Sequence, residues 1–256
     1  MLKKIENVVI IGAGNVASHL AIFLSKKIEI KGIISKNKTS ALQLSTKLNC
    51  PFIDDLSSIP SCDLVLICTN DDAIEQIESQ ISINFNVAYT SGSVDLNSKT
   101  QRKNYGVFYP LQSFSKDKAI DISKVPIFIE AKNEEFGQKL FELANIISEN
   151  VAFASSIERK KIHITAIFIN NFSNHLAYIA NKFAEENELN WEYFKPLIKE
   201  TTDKILLTSP FEAQTGPAHR KDYTTIEQHL SMLNGFSKEI YNLLSNSIIN
   251  TYTSKK

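Results

Sequence analysis

The stretch Gly12-Ala13-Gly14-Asn15-Val16-Ala17 directly follows the apolar run Val8–Ile11 and has the spacing G-x-G-x-x-A. In this pattern the first glycine permits a tight turn and the second lets the backbone approach a pyrophosphate. The small third residue lets the following helix pack closely on the strand. The helix N-terminus then offers free N–H groups and a partial positive charge to phosphates. Gly12, Gly14, Asn15 and Val16 are therefore candidate contacts for a dinucleotide. Roughly 20 residues further on, an NAD site places an acid against the ribose 2′-OH. Here the chain reads Gly32-Ile33-Ile34-Ser35-Lys36-Asn37-Lys38, with no acid. A hydroxyl and ammonium groups suit a 2′-phosphate, which a carboxylate would repel. NADP(H) is the expected cofactor, with Ser35 and Lys36 as contacts, and the choice between Lys36 and Lys38 for the phosphate stays open.

Two further strand ends border the expected nicotinamide half, because ligands of open α/β sheets bind beyond the carboxyl edge. They are Thr69-Asn70-Asp71-Asp72 and Thr90-Ser91-Gly92-Ser93, which makes Thr69, Asn70, Asp71, Ser91 and Gly92 candidates. Asp71 or Asp72 could equally cap the next helix. Later in the chain, His163, Asn170, Asn171, Asn174 and Tyr178 share one stripe at 100° per residue. A buried polar stripe needs partners, and a cleft between two domains, holding cofactor and substrate, would supply them. His163 is the candidate general acid, since an imidazole ordinarily titrates at about 6.5. Asn171 would hold the substrate oxygen or nitrogen. The loop Ser209–Asp222 concentrates polar groups between helices and offers Thr215, Gly216, Arg220 and Asp222 for substrate contacts. Arg220 could clamp a carboxylate, and Asp222 could orient Arg220 or cap the following helix. Tyr109-Pro110-Leu111-Gln112-Ser113-Phe114 is a third polar loop.

The elements that must position these residues change character near residue 155. Before it, strands are expected at Val8–Ile11, Ile28–Ile34, Phe52-Ile53, Asp63–Cys68, Asn86–Thr90, Tyr105–Phe108, Val125–Glu130 and Val151–Ala154. Helices are expected from the glycine loop to about Lys27, and at Thr39–Leu48, Asp72–Gln80 and Glu134–Ser148. Strands alternating with helices imply crossovers, and so a mostly parallel, doubly wound sheet covered on both faces. After it, only helices are expected, at Glu158–Glu186, Trp191–Leu207, Thr224–Leu233 and Ser237–Asn250. The reading is an α/β nucleotide-binding domain over 1–155 and an all-helical domain over 156–256, concerned with substrate and dimerisation.

Composition narrows the function classes. The chain has 256 residues, 43% hydrophobic and 22% charged, with 28 basic and 28 acidic side chains. Zero net charge argues against nucleic acid or an anionic membrane as partner. No apolar run approaches the roughly 20 residues that span a bilayer. The N-terminus lacks the pattern of a secretory signal. Cys50, Cys62 and Cys68 match neither a disulfide framework nor a metal site. A reduced, cytoplasmic, soluble protein is expected.

The combination of VVIIGAGNVASHLA, CTNDDAI, YTSGS, FYPLQSFS, HITAIFINNFSNHL and QTGPAHRKD resembles one group of proteins over about residues 5–250. These are Rossmann-like proteins with a C-terminal helical domain of unknown function, labelled NADP or deazaflavin-dependent oxidoreductases. They are distantly like pyrroline-5-carboxylate reductase and 6-phosphogluconate dehydrogenase. The resemblance implies motif roles for Gly12, Gly14, Ser91, Gly92, His163, Asn171, Thr215, Gly216, Pro217, Arg220 and Asp222. It also implies a 6-phosphogluconate-dehydrogenase-like helical domain that builds a homodimer. Many such proteins have His-Pro where this chain has Tyr109-Pro110. Related dehydrogenases carry a lysine on the long helix, where this chain has Lys160 and Lys161 ahead of His163. The leading expectation is hydride transfer between NADPH and a small carbonyl or imine at the interdomain cleft. A non-catalytic NADP-binding sensor or scaffold and a deazaflavin–NADP oxidoreductase are the alternatives.

Overall fold

The computed structural model describes residues 3–96, 100–115 and 118–253. It comprises two compact units, Met1–Asn171 and Phe172–Lys256. The helical run begins at Ser156, close to the expected change of pattern, and the units divide inside that run.

In the first unit, β1 (Asn7–Ile11), β2 (Glu29–Ile34), β3 (Leu64–Ile67), β4 (Val87–Tyr89), β5 (Tyr105–Pro110), β6 (Ile127–Ala131) and β7 (Val151–Phe153) form one sheet. Its order is β2-β1-β3-β4-β5-β6-β7. Every pairing is parallel except β5 with β6. Helices α1 (Asn15–Leu24), α2 (Lys38–Leu48), α3 (Asp71–Gln80) and α4 (Glu134–Asn145) flank it.

The central strands read as continuous apolar runs because both of their faces are covered. Val8, Ile10, Leu64 and Leu66 pack with α1, α2 and α4. Their neighbours Val9, Ile11, Val65 and Ile67 point the other way and pack with Ile74 and Ile77 of α3. The strand expected at Phe52-Ile53 is instead a single bridge from Phe52 to Ile33. Pro51 has no N–H to extend the ladder, and its carbonyl accepts from the Ile33 N–H and the Ser45 hydroxyl.

The expected single helix Glu158–Glu186 is α5 (Ser156–Ala166), a π-helical turn (Ile167–Phe172) and α6 (Ser173–Glu186). Ser155 and Glu158 start α5 with a reciprocal capping box. The π turn falls on Ile-Phe-Ile-Asn-Asn-Phe, a string of residues that hold an α-helix poorly.

The second unit continues with α7 (Lys195–Leu207), α8 (Pro217–Arg220), α9 (Tyr223–Met232) and α10 (Gly235–Thr253). Trp191–Leu207 is not one helix, because Pro196 sits at the start of α7 and is preceded by a 3-10 turn, Trp191–Phe194. Proline lacks the N–H that a position further inside a helix would need. Among the described apolar residues of this unit, only Ala184, Ala218 and Ile226 are buried. No helix among the described residues is long and apolar enough to cross a membrane.

Candidate functional site

Strands β1, β3, β4 and β5 run parallel, so their carboxyl ends share one edge of the sheet. Gly12 leaves β1 at φ 123°, and its N–H donates to Ile34 O at 2.7 Å. A Cβ there would stand 2.2 Å from the Cys68 carbonyl oxygen, so only glycine fits. A Cβ at Gly14 would meet nothing within 4 Å, which leaves an open side to the turn. Helix α1 starts at Asn15 with no acidic residue in its first turn. Its free N–H groups and dipole thus face that opening without a competing carboxylate, and the cradle fits a pyrophosphate. Val16 is half-buried against the core, and Asn15 Nδ2 donates to Phe114 O at 2.9 Å.

At the end of β2, Lys38 pairs with Asp54 at 2.6 Å. Lys36 is exposed, with no ion pair among the described residues. Ser35 is half-exposed, and its Oγ accepts from the Asn37 N–H at 3.2 Å. Between the two lysines left open by the sequence, Lys36 is the unengaged one.

The next two strand ends are joined to each other. Asp71 opens α3 and accepts from Ser93 Oγ. Asn70 occupies the N-cap position without a side-chain capping bond, and Thr69 Oγ1 donates to Asn70 O at 3.4 Å. Ser91 Oγ accepts from the N–H groups of Ser93 and Val94 at 3.1 and 3.0 Å, which shapes the turn after β4. A Cβ at Gly92 would lie 2.6 Å from Tyr109 Cζ and 2.9 Å from His163 Nδ1. Glycine at 92 is what lets these two side chains close on the turn.

Tyr109 Oη and His163 Nδ1 are 3.0 Å apart. Burial raises the Tyr109 phenol above its usual pKa; Arg159 opposes the rise and Asp71 adds to it. Both side chains line a cavity of about 510 Å³, together with Gln112, Ser113, Asn170 and Asn171. The polar loop after β5 is pinned to α1 twice, by the Asn15 contact and by His19 Nε2 donating to Ser115 O at 2.9 Å. It is thereby brought both to the glycine turn and to the cavity wall.

Behind the turn lies Arg159, fully buried. Its Nη1 donates to Ser91 O at 3.1 Å and Val94 O at 2.8 Å. Nη2 meets Glu130 Oε2 at 2.6 Å, and Ser156 donates to the same carboxylate. Nε has no partner among the described residues. Sequence reasoning missed Arg159, Glu130 and the Tyr109–His163 pair. In the string Ile157-Glu158-Arg159-Lys160-Lys161 the arginine reads as one more solvated charge. Only Gly92, small where no turn type demands it, hinted at a close approach.

The polar stripe is not buried. His163 is half-exposed, and Asn170, Asn171, Asn174 and Tyr178 are exposed. The apolar neighbours Ile164, Phe168 and Ile169 are largely exposed as well. Uniform 100° spacing also fails across the π turn, where i→i+5 bonding widens the helix.

Thr215, Gly216, Arg220 and Asp222 lie in the second unit. Gly216, at φ 105°, caps the start of α8, and Thr215 O accepts from Gln214 Nε2. Asp222 takes the capping alternative: its carboxylate accepts from the N–H and Oγ1 of Thr225 at 3.1 and 2.7 Å. Those bonds hold its pKa below the usual carboxylate range. Lys160 pairs with Asp95, and among the described residues no lysine or acid lines the cavity. Cys68 is a buried thiol pushed up to about 12, and no metal-binding cluster exists among the described residues.

Residues 6–86 match the model of the oxidoreductase family with an NAD-binding Rossmann fold. Residues 125–248 match that of the domain of unknown function DUF2520. No curated protein matches the chain in sequence. Among solved structures, a protein of Bacteroides fragilis described as a putative NADP oxidoreductase is 33% identical, with a TM-score of 0.89 over 96% of this chain and 98% of that one. A Thermotoga maritima protein is 17% identical, with a TM-score of 0.73 over 97% and 99%. An imine reductase of Myxococcus stipitatus, solved with NADP+, is 12% identical, with a TM-score of 0.68 over 97% and 93%. At such identities the last two likenesses speak for the fold alone.

Proposed function

Since this chain belongs to the Rossmann-fold oxidoreductase family whose C-terminal part is the DUF2520 domain, we propose that it is an NADP(H)-dependent reductase of a small carbonyl or imine. The observation that carries the reading is one sheet edge holding two things. An open glycine turn lies at the end of β1, and a Tyr109–His163 pair lines a cavity at the end of β5. NADPH, when bound, supplies the hydride. Gly12, Gly14 and the first turn of α1 would hold its pyrophosphate, and Ser35 with Lys36 its 2′-phosphate. Ser91 and Gly92 shape the turn against which the nicotinamide end would rest. His163 exchanges protons with water because it is half-exposed, and it provides the proton that the product needs. Asn171 and Asn170 offer amides to orient the substrate heteroatom.

Paired titration with NADPH and NADH tests the cofactor assignment. NADPH is expected to bind at least about tenfold more tightly, a difference of about 1.4 kcal/mol. Lys36→Glu should erase that preference and leave NADH affinity unchanged. Equal affinities in the wild type would remove Ser35 and Lys36 from the site.

The second unit supports a further part of the reading. Leu206, Leu207 and Phe236 are 78, 83 and 82% exposed. Apolar surface of this extent is ordinarily covered by a partner, and a second copy of the chain is the partner proposed. Light scattering is expected to give twice the chain mass. A monomer at micromolar concentration would contradict it.

A further inference from the structure

The Tyr109 hydroxyl faces one nitrogen of His163 and, among the described residues, has no other hydrogen-bond partner. We infer that Tyr109 is a positioning residue that occupies His163 Nδ1, so that Nε2 is the ring nitrogen left to meet the substrate. The inference rests on the reductase reading and assigns the atom through which it works.

A hydroxyl can both donate and accept. Toward the neutral ring Tyr109 donates to Nδ1, which places the ring proton on Nε2. Toward the charged ring it accepts from the Nδ1 N–H. The partner of one imidazole nitrogen thus sets the state of the other. The phenol is suited to this because burial disfavours its anion, leaving the O–H in place at neutral pH. The ring is also mechanically fixed. Gly92 leaves no slack on one side of the pair, and the Phe128 ring lies tilted against Tyr109 at a centroid distance of 6.4 Å.

In the reduction, bound NADPH would supply the hydride for the new C–H bond, and the C=O or C=N π pair would move to the heteroatom. That atom takes the proton from Nε2 of the imidazolium, and the N–H bond pair remains on Nε2 as a lone pair. Nδ1 keeps its proton with Tyr109 Oη still accepting it, so the ring passes briefly through the neutral tautomer that Tyr109 does not favour. Water then returns a proton to the half-exposed ring.

The test uses the full chain with 15N-labelled histidine, and the His163 signals are assigned from their loss in His163→Gln. In its neutral form, wild-type His163 is expected to show one tautomer, with the proton on Nε2. In Tyr109→Phe, which keeps the ring and its packing, the two nitrogen shifts should converge as tautomers exchange. The same variant should lower kcat for a cyclic imine or ketone roughly 10- to 100-fold, with NADPH affinity unchanged. A proton on Nδ1 in the resting wild type, an unchanged ring in Tyr109→Phe, or full turnover by that variant would each overturn the assignment. Failure of the wild type to oxidise NADPH with any imine or ketone would overturn the reductase reading instead. The nitrogen shifts alone would then judge the Tyr109–His163 arrangement.

Discussion

Replacing His163 by alanine is expected to lower NADPH-dependent turnover by about 10²- to 10⁴-fold, the range a positioned acid supplies. NADPH affinity should stay nearly unchanged. The side chain lines the cavity beyond β5, whereas the turn proposed to hold the pyrophosphate is built from Gly12, Gly14 and α1. Steady-state kinetics and a cofactor titration on the same preparation separate the two effects. A fall in kcat and kcat/KM together marks loss of a contact made in the transition state. Equal turnover in the variant would remove His163 from the mechanism.

The largest effect on stability is expected at Arg159. Its guanidinium is fully buried, bonded to Glu130, Ser156 and the carbonyls of Ser91 and Val94. Arg159→Met leaves the Glu130 carboxylate without its cation and two carbonyls without donors. Breaking a buried pair from one side costs about 3–5 kcal/mol. The change should appear as a lower midpoint in urea unfolding, with the slope preserved. Lys160→Met, at the exposed pair with Asp95, should shift stability by no more than about 0.5 kcal/mol. Equal effects of the two substitutions would show that burial of Arg159 adds nothing. Because Arg159 holds the turn that carries Gly92, Arg159→Met should also loosen the Tyr109–His163 pair and reduce turnover.

These two residues mark what a sequence can and cannot carry. The glycine turn was legible because its logic is local. A strand, two glycines and a helix start follow one another within a few residues, and the structure keeps them in that order. The sheet was legible because strands buried on both faces read as unbroken apolar runs, as in Leu64–Ile67. Phe52-Ile53 reads alike but forms a single bridge, with Pro51 offering no N–H to extend it on one side. Arg159 and Glu130 stand 29 residues apart, and Tyr109 and His163 stand 54 apart. Neither pair has a local pattern, since tertiary folding alone brings its members together. The exposure of the stripe from His163 to Tyr178 was not legible for another reason. Periodicity gives the direction of side chains on a regular helix, but it shows neither where the helix widens nor whether anything covers it. Asp222 shows the reverse case, a capping residue three positions before Thr225, which the sequence already offered as one of two roles.

Hydride transfer from NADPH to a carbon bound to oxygen or nitrogen is the chemistry proposed for this chain. Transfer of deuterium from NADPH labelled at the nicotinamide C4, followed by mass spectrometry of the product, tests it most directly. With a cyclic imine or a cyclic ketone as acceptor, one deuterium is expected in the reduced product, forming about 10²- to 10⁴-fold more slowly in His163→Ala and absent without protein. Tight binding of NADPH with no deuterium in any acceptor would contradict the account and identify a protein that holds the cofactor without using it.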